Sequence, residues 1–338
     1  MKYLYQISLS FLMLSIACVD TDQDEYYDES ELLMLLDEDD AAGLDGFGDG
    51  GLMDMDYDSG LEYGGLSRTL GDTLGHGEGY RIRFGRQIID RERTVDFTVD
   101  GDTAIGVVNY TVSGLFMAQA MDTSTMEAID SIGFSKEFSS TMTRKVKYAR
   151  IDNSNNPDGY SWRIIALTPL IGGSGDKVSI TSVEVYEVEL NAAEGLILNG
   201  DLLYSFSSDE IGDHFIDRET LPTFTSFDAL IAKVSVENTG PEYTIDSVGV
   251  GEWVVLHYGR SAAQRGRRRL NDLGISVDSD ANDNVHTGFW RVHGPGIGHS
   301  SRVFRSFFST IDLATLFTED GGYNSVTWSI PYRSQRPE

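Results

Sequence analysis

Apolar and polar side chains alternate with a period of two along much of this chain, and that period belongs to a strand with one wet face, not to a helix. Residues 93–99 put Val95 and Phe97 on one side. Asp100 and Gly101 follow, a turn pair that tolerates positive φ, and residues 104–116 resume an apolar, β-branched run. This predicts a long hairpin. Residues 121–138 have looser spacing and suit one short helix. Strands resume at 143–151, turn through 153–159, and return at 160–167 with Trp162 and Ile164 on one face. A glycine-rich turn (Gly172, Gly173, Gly175) then leads to a strand over 178–188. Hairpin connections of this kind make an antiparallel sheet or sandwich. Residues 76–190 are therefore expected to form one β-rich domain.

The same signal continues beyond residue 190. Residues 232–238 (AKVSVEN) alternate strongly and break at Thr239, Gly240 and Pro241. WVVLHY at 253–258 is a second strong strand, and 303–308 and 325–332 supply closing strands. With 338 residues there is room for about two domains. Residues 191–338 are read as the second. The fold class expected is mainly β, with two antiparallel β-sandwich-like domains.

Residues 269–290 (RLNDLGISVDSDANDNVHTGFW) resemble the hairpin of bacterial extracellular immunoglobulin-like modules. Asp272 and Gly274 match its first turn, Asp278 or Asp280 its second acidic position, and Ala281 and Asp283 its third. Val285, Thr287 and Trp290 match the strand that follows. Asn282 and Asn284 stand where the pattern has glycine, and Asn also tolerates the left-handed conformation. The resemblance implies an immunoglobulin-like sandwich for the second domain; it implies no activity.

The N-terminal part obeys other rules. Lys2 precedes an apolar stretch over 7–17, which is too short to span a bilayer and reads as a secretory signal over residues 1–17. Its end, Ile16-Ala17-Cys18 after Leu14 and Ser15, is similar to the lipobox of bacterial lipoproteins. That resemblance implies acylation of Cys18, the chain's single cysteine, and residence in the cell envelope on a lipid anchor. With Val19 next, it favours the outer membrane, and the acidic residues that follow are compatible with the cell surface. One cysteine also excludes an intramolecular disulfide and a cysteine-rich zinc site.

Between residues 19 and 62 there are 17 Asp and Glu and no Lys or Arg. Such a composition buries too little apolar surface to offset chain entropy, so 18–75 is expected to be a disordered, lipidated tether. It would hold the folded part clear of the membrane. LLMLL at 32–36 is expected to be transient helix in that linker, with docking on a partner as the alternative. A net charge of -28 disfavours a nucleic-acid partner.

Few residues point to chemistry. Asp278, Asp280 and Asp283 crowd together, and oxygen ligands at this density suit calcium. The central Gly and distal Glu of an EF-hand are missing, so a solvated Asx-rich turn is the expected role, and no cofactor beyond the lipid. His257, His286, His293 and His299 show no metal-ligand spacing. Arg265, Arg267, Arg268 and Arg269 form a basic run in an acidic chain. It suits either a polyanion, such as a sulfated or phosphorylated glycan, or pairing with nearby acids. Gly294, Gly296 and Gly298 do not make a phosphate loop, and Ser174 lacks a nucleophile elbow. The expected function is a non-enzymatic binding, adhesion or assembly module anchored in a membrane, with an unassigned protein or glycan partner. The alternatives are an extracellular glycan hydrolase and a polyanion-binding surface protein.

Overall fold

The computed structural model describes residues 21–44, 53–54, 80–122, 124–125, 127–191, 196–240, 244–245, 249–259, 265–275, 277–317 and 322–337. Residues 1–17, expected to be a secretory signal, Cys18 and most of 45–79 lie outside these residues. The described chain begins with α1 (Thr21–Glu38), β1 (Met53–Asp54), β2 (Tyr80–Asp100), β3 (Thr103–Asp122), β4 (Ala128–Asp152), β5 (Tyr160–Leu167), β6 (Leu170–Ser174) and β7 (Val178–Asn191). It continues with β8 (Leu196–Ser207), β9 (Ile216–Asp217), β10 (Thr223–Thr225), β11 (Ala229–Asn238), β12 (Thr244–Ile245), β13 (Gly249–Val250) and β14 (Glu252–Gly259). Then come β15 (Arg265–Leu270), β16 (Val285–Arg291), β17 (Ser301–Asp312), α2 (Leu313–Phe317) and β18 (Ser325–Gln335). Among these residues no helix is long and apolar enough to cross a membrane.

The protein is mainly β, as the period-two signal requires. One sheet runs β1-β2-β3-β4-β6-β18-β17-β14-β15, and a second runs β16-β11-β7-β8. Their facing sides make an antiparallel sandwich: Val183, Val185, Val234 and Trp290 of the second sheet share a core with Val254, Leu256, Phe308 and Ile330 of the first. The other side of the first sheet closes on itself. Phe84 of β2 meets Trp253 of β14 edge to face at 5.4 Å, although β3, β4, β6, β18 and β17 lie between them along the sheet. The curled interior holds a second core that includes Phe116, Val146, Phe307 and Ile311. All eight residues of β14 are buried, because it is covered on both faces. That is why WVVLHY reads as a nearly continuous apolar run.

Three expectations need correction. First, residues 121–138 hold no described helix: β3 and β4 are joined by a tight connection in which the Asp122 carboxylate accepts from the Ser124 and Thr125 amides. Second, the expected division at 190 is crossed by strand pairing. β6 lies between β4 and β18, and β7 pairs with β11. The glycines read as a turn belong to this strand. A Cβ on Gly172 would sit 2.1 Å from the Thr141 carbonyl oxygen, and one on Gly173 would sit 1.9 Å from that of Ser325. Only glycine admits both neighbours this closely.

Third, residues 21–44 do not behave as a tether. α1 docks on the body with Leu32 and Leu36 at 0% and 2% exposure. Asp37 pairs with Arg93, and Asp39 with Arg218 at 3.0 Å. Glu31 accepts from the Trp162 amide. Past the helix, the Ala41 carbonyl accepts from the buried Arg144 guanidinium, and the Ala42 carbonyl from the Tyr110 hydroxyl. Two of the acids that look disordering within the segment, Asp37 and Asp39, find cations in the body, the second 179 positions away at Arg218.

Candidate functional site

The arginine run and the aspartate-rich loop come together in space. β15 forms the edge of the first sheet and pairs with β14, so that Leu256 faces Arg268, Val255 faces Arg269 and His257 faces Arg267. Adjacent strand residues point to opposite faces, so the run is not one basic patch. Arg269 lies 4.8 Å from the Trp253 ring centre and donates to the Asn271 side chain. Arg268 is exposed. Asn271 and Thr287 then exchange two main-chain hydrogen bonds, which tie β15 to β16 of the second sheet. The strands approach closely at this corner: a Cβ on Gly288 would come 2.6 Å from the end of the Leu270 side chain and 3.0 Å from the Arg269 carbonyl oxygen.

The loop between these strands is shaped by its own carboxylates. Asp278 accepts from the amides of Leu273 and Gly274, both at 2.7 Å. Asp272 accepts from those of Asp283 and Asn284. Asp283 accepts from Val285. Asn282 and Asn284 take φ of 58° and 63°, the left-handed conformation expected of residues standing in for glycine. Burial raises the pKa of Asp272, against the lowering effect of those amides.

The trio that converges is Asp272, Asp278 and Asp283, with ligand atoms within 4.8 Å of one another. The sequence had suggested Asp278, Asp280 and Asp283. Asp280 instead turns outward and accepts from Ser279, and Asp272, from the far side of the loop, takes its place. Asp283 braces its own turn in the Asx manner, whereas the buried Asp272 and Asp278 tie the loop across itself through amides more distant in the chain.

Beside this loop is an open groove of about 420 Å³, lined among others by Arg268, Arg269, Ile275, Asp278 and Phe289. Arg268 is the exposed cation of this lining and Ile275 its exposed apolar group, while the Asp278 carboxylate is turned on to the main chain.

The sequence did not reveal a polar network inside the sandwich. Glu252 opens β14 at 1% exposure, and its carboxylate lies 2.8 Å from Nε2 of the buried His286. The Asn238 amide bridges Glu252 (3.1 Å) and Asp312 (3.3 Å), and Asp312 is 0% exposed. Burial pushes the Asp312 carboxyl up, partly offset by the Asn238 hydrogen bond and by Lys177. The available signal was an acid placed directly before WVVL: a charge entering a doubly buried strand needs a partner. The other histidines do not gather. His257 is interior to β14, burial lowers the pKa of His293 between the Tyr258 and Phe304 rings, and His299 is exposed.

No protein-family model matches this chain, and no curated protein matches it either.

Proposed function

We propose that this chain is a lipid-anchored protein of the bacterial cell envelope that works as a binding module, with the groove beside Arg268 and Arg269 as its ligand site. One observation carries the binding role: the Asp278 carboxylate is engaged with main-chain amides, so the exposed Arg268 and the apolar Ile275 and Phe289 are what this lining offers a ligand. That lining suits a sulfated or phosphorylated glycan, whose anionic groups pair with arginine and whose ring faces lie on Ile275 and Phe289. The anchor rests on Ile16-Ala17-Cys18, and the outer membrane is the destination that Val19 favours. α1 begins at Thr21, so the chain between it and the lipid reaches at most about 11 Å. An acylated Cys18 would then hold the body close to the membrane, not on a long leash.

The hydrolase alternative requires two carboxyl groups about 5–9.5 Å apart across an opening. The acid pair that stands out, Glu252 and Asp312, lies in the sandwich interior, which favours a structural role for it.

Unlipidated protein (Cys18→Ser) passed over immobilised heparin tests the reading. Saturable, salt-sensitive retention that Arg268→Ala weakens severalfold is the expected result. Retention unaffected by that substitution would remove the groove from the account, and release of shortened saccharides would replace binding with turnover.

A further inference from the structure

One end of the sandwich carries an apolar pair within a basic surround. The turn at 226–228, the loop at 292–300, the start of β17 and the end of β18 meet there. Phe227 donates its amide to the Val292 carbonyl, and Val292 donates to that of Asp228. Ser226 donates to the Gln335 carbonyl, and Arg336 to that of Ser300. The tip is therefore a cross-tied structure. Phe227 nevertheless sits 63% exposed with φ of 72°, a conformation that costs a bulky side chain free energy and that clusters at functional sites. Its ring lies over Gly294, where a Cβ would come within 2.9 Å. Ile297 is 99% exposed at the loop apex, between Gly296 and Gly298 with φ of 92° and 83°. The two left-handed glycines present it outward.

The charge here is opposite to that of the chain. Residues 222–228, 291–303 and 331–338 contain Arg291, Arg302, Arg333 and Arg336 against two acids, Asp228 and Glu338. A small exposed apolar pair ringed by arginine is the chemistry of an anionic lipid surface: apolar groups enter the acyl boundary and cations meet the headgroups.

Topology aligns this tip with the lipid. β18 and β4 are each antiparallel to β6, so they run the same way, and the tip lies toward the end of the sheet where β4 turns into β5. α1 runs alongside β5: Glu31 bonds Trp162, while Asp39 pairs with Arg218, whose amide donates to the Ile165 carbonyl. The Thr21 end of α1 therefore points toward the same end, three residues after Cys18.

We infer that Phe227 and Ile297, with Arg291, Arg302 and Arg336, form a second membrane contact that rests on anionic lipid headgroups. The inference relies on the envelope reading for the membrane it meets, but its test does not use the anchor. In full-length Cys18→Ser protein, Ile297→Cys is the only thiol and takes an environment-sensitive fluorophore. With vesicles of equimolar phosphatidylglycerol and phosphatidylcholine, its emission should shift to the blue. Pure phosphatidylcholine should leave it unchanged. Arg302→Gln and Arg336→Gln should each weaken the response about fivefold. Co-sedimentation with vesicles without a shift would place the contact elsewhere on the chain and overturn the inference. So would an equal shift with neutral lipid, or a shift indifferent to the arginines, which would also be the outcome if an acidic segment of the chain itself covered the tip. Acylation of Cys18 is read separately, from the mass of the N-terminal peptide, so either idea can fail alone.

Discussion

Replacing Leu32 by Ala probes the least anticipated part of this fold. Leu32 and Leu36 are one helical turn apart on the docked face of α1, and Met34, 52% exposed, points away. Truncating a fully buried Leu costs about 2–5 kcal/mol. A helix at the margin of a body can also detach by itself, which limits the effect to the free energy of docking. Burying two leucines contributes roughly 1.5–3 kcal/mol each. The Asp39–Arg218 pair, little exposed, adds to this, whereas the more open Asp37–Arg93 pair adds at most about 1 kcal/mol. Ordering the segment opposes all of these terms. Docking therefore nets a few kcal/mol, and Leu32→Ala should remove about 2–3 of them. Hydrogen exchange reads this directly: the α1 amides should exchange about 30–150-fold faster, while β14 and β17 amides keep most of their protection. Met34→Ala should change little. Unchanged exchange in Leu32→Ala, or an equal effect from Met34→Ala, would show that α1 does not dock through this face.

Two further substitutions test the polar interior. Burial raises the Asp312 carboxyl, so the native state holds its proton to higher pH than the unfolded chain; stability from this group is full below about pH 4 and falls as pH rises through the raised value. Asp312→Asn should thus be more stable than the parent at neutral pH, with the difference vanishing in acid; a destabilised variant in urea titrations at neutral pH would contradict this. Lys136, between the Phe116 and Phe134 rings, is pushed down to about 8, chiefly by burial and further by Lys177, against the opposing pull of Asp312. Between that value and the unfolded one the native state has already lost its proton, so stability should rise with pH from about 8 to 10. Lys136→Met should flatten that rise and be the more stable form at neutral pH, and parallel profiles for the two proteins would refute the assignment.

What could be read from the sequence was local. The hairpin between β2 and β3 was marked by Asp100 and Gly101, and Gly101 takes φ of 58°. Trp162 and Ile164, two apart, are both buried. Asn282 and Asn284 adopt the conformation that their substitution for glycine implied. The pairings that join distant segments were not readable, because nothing local in LIGGS at 170–174 names β4 and β18 as neighbours. The same holds for the site. The arginine run was visible, yet strand alternation divides it, and Asp272 enters the aspartate trio only once the loop has closed.

The acidic segment shows why composition misled. A stretch of 17 acids without a cation cannot fold alone, and the inference from composition is sound for the isolated stretch. The rest of the chain buries Arg86, Arg144 and Arg305, and a buried guanidinium demands acceptors or counter-charge. Arg144 meets the Ala41 carbonyl; burial pushes its pKa down to about 10, against the opposing pull of Tyr110 and Asp39. Arg93 and Arg218 pair with Asp37 and Asp39 nearer the surface. Residues 21–44 are thus held by arginines of the body, through two carboxylates and one main-chain carbonyl. Within residues 21–44, a local excess of acid is compatible with order because individual arginines elsewhere in the chain meet it, even though the chain as a whole stays acidic.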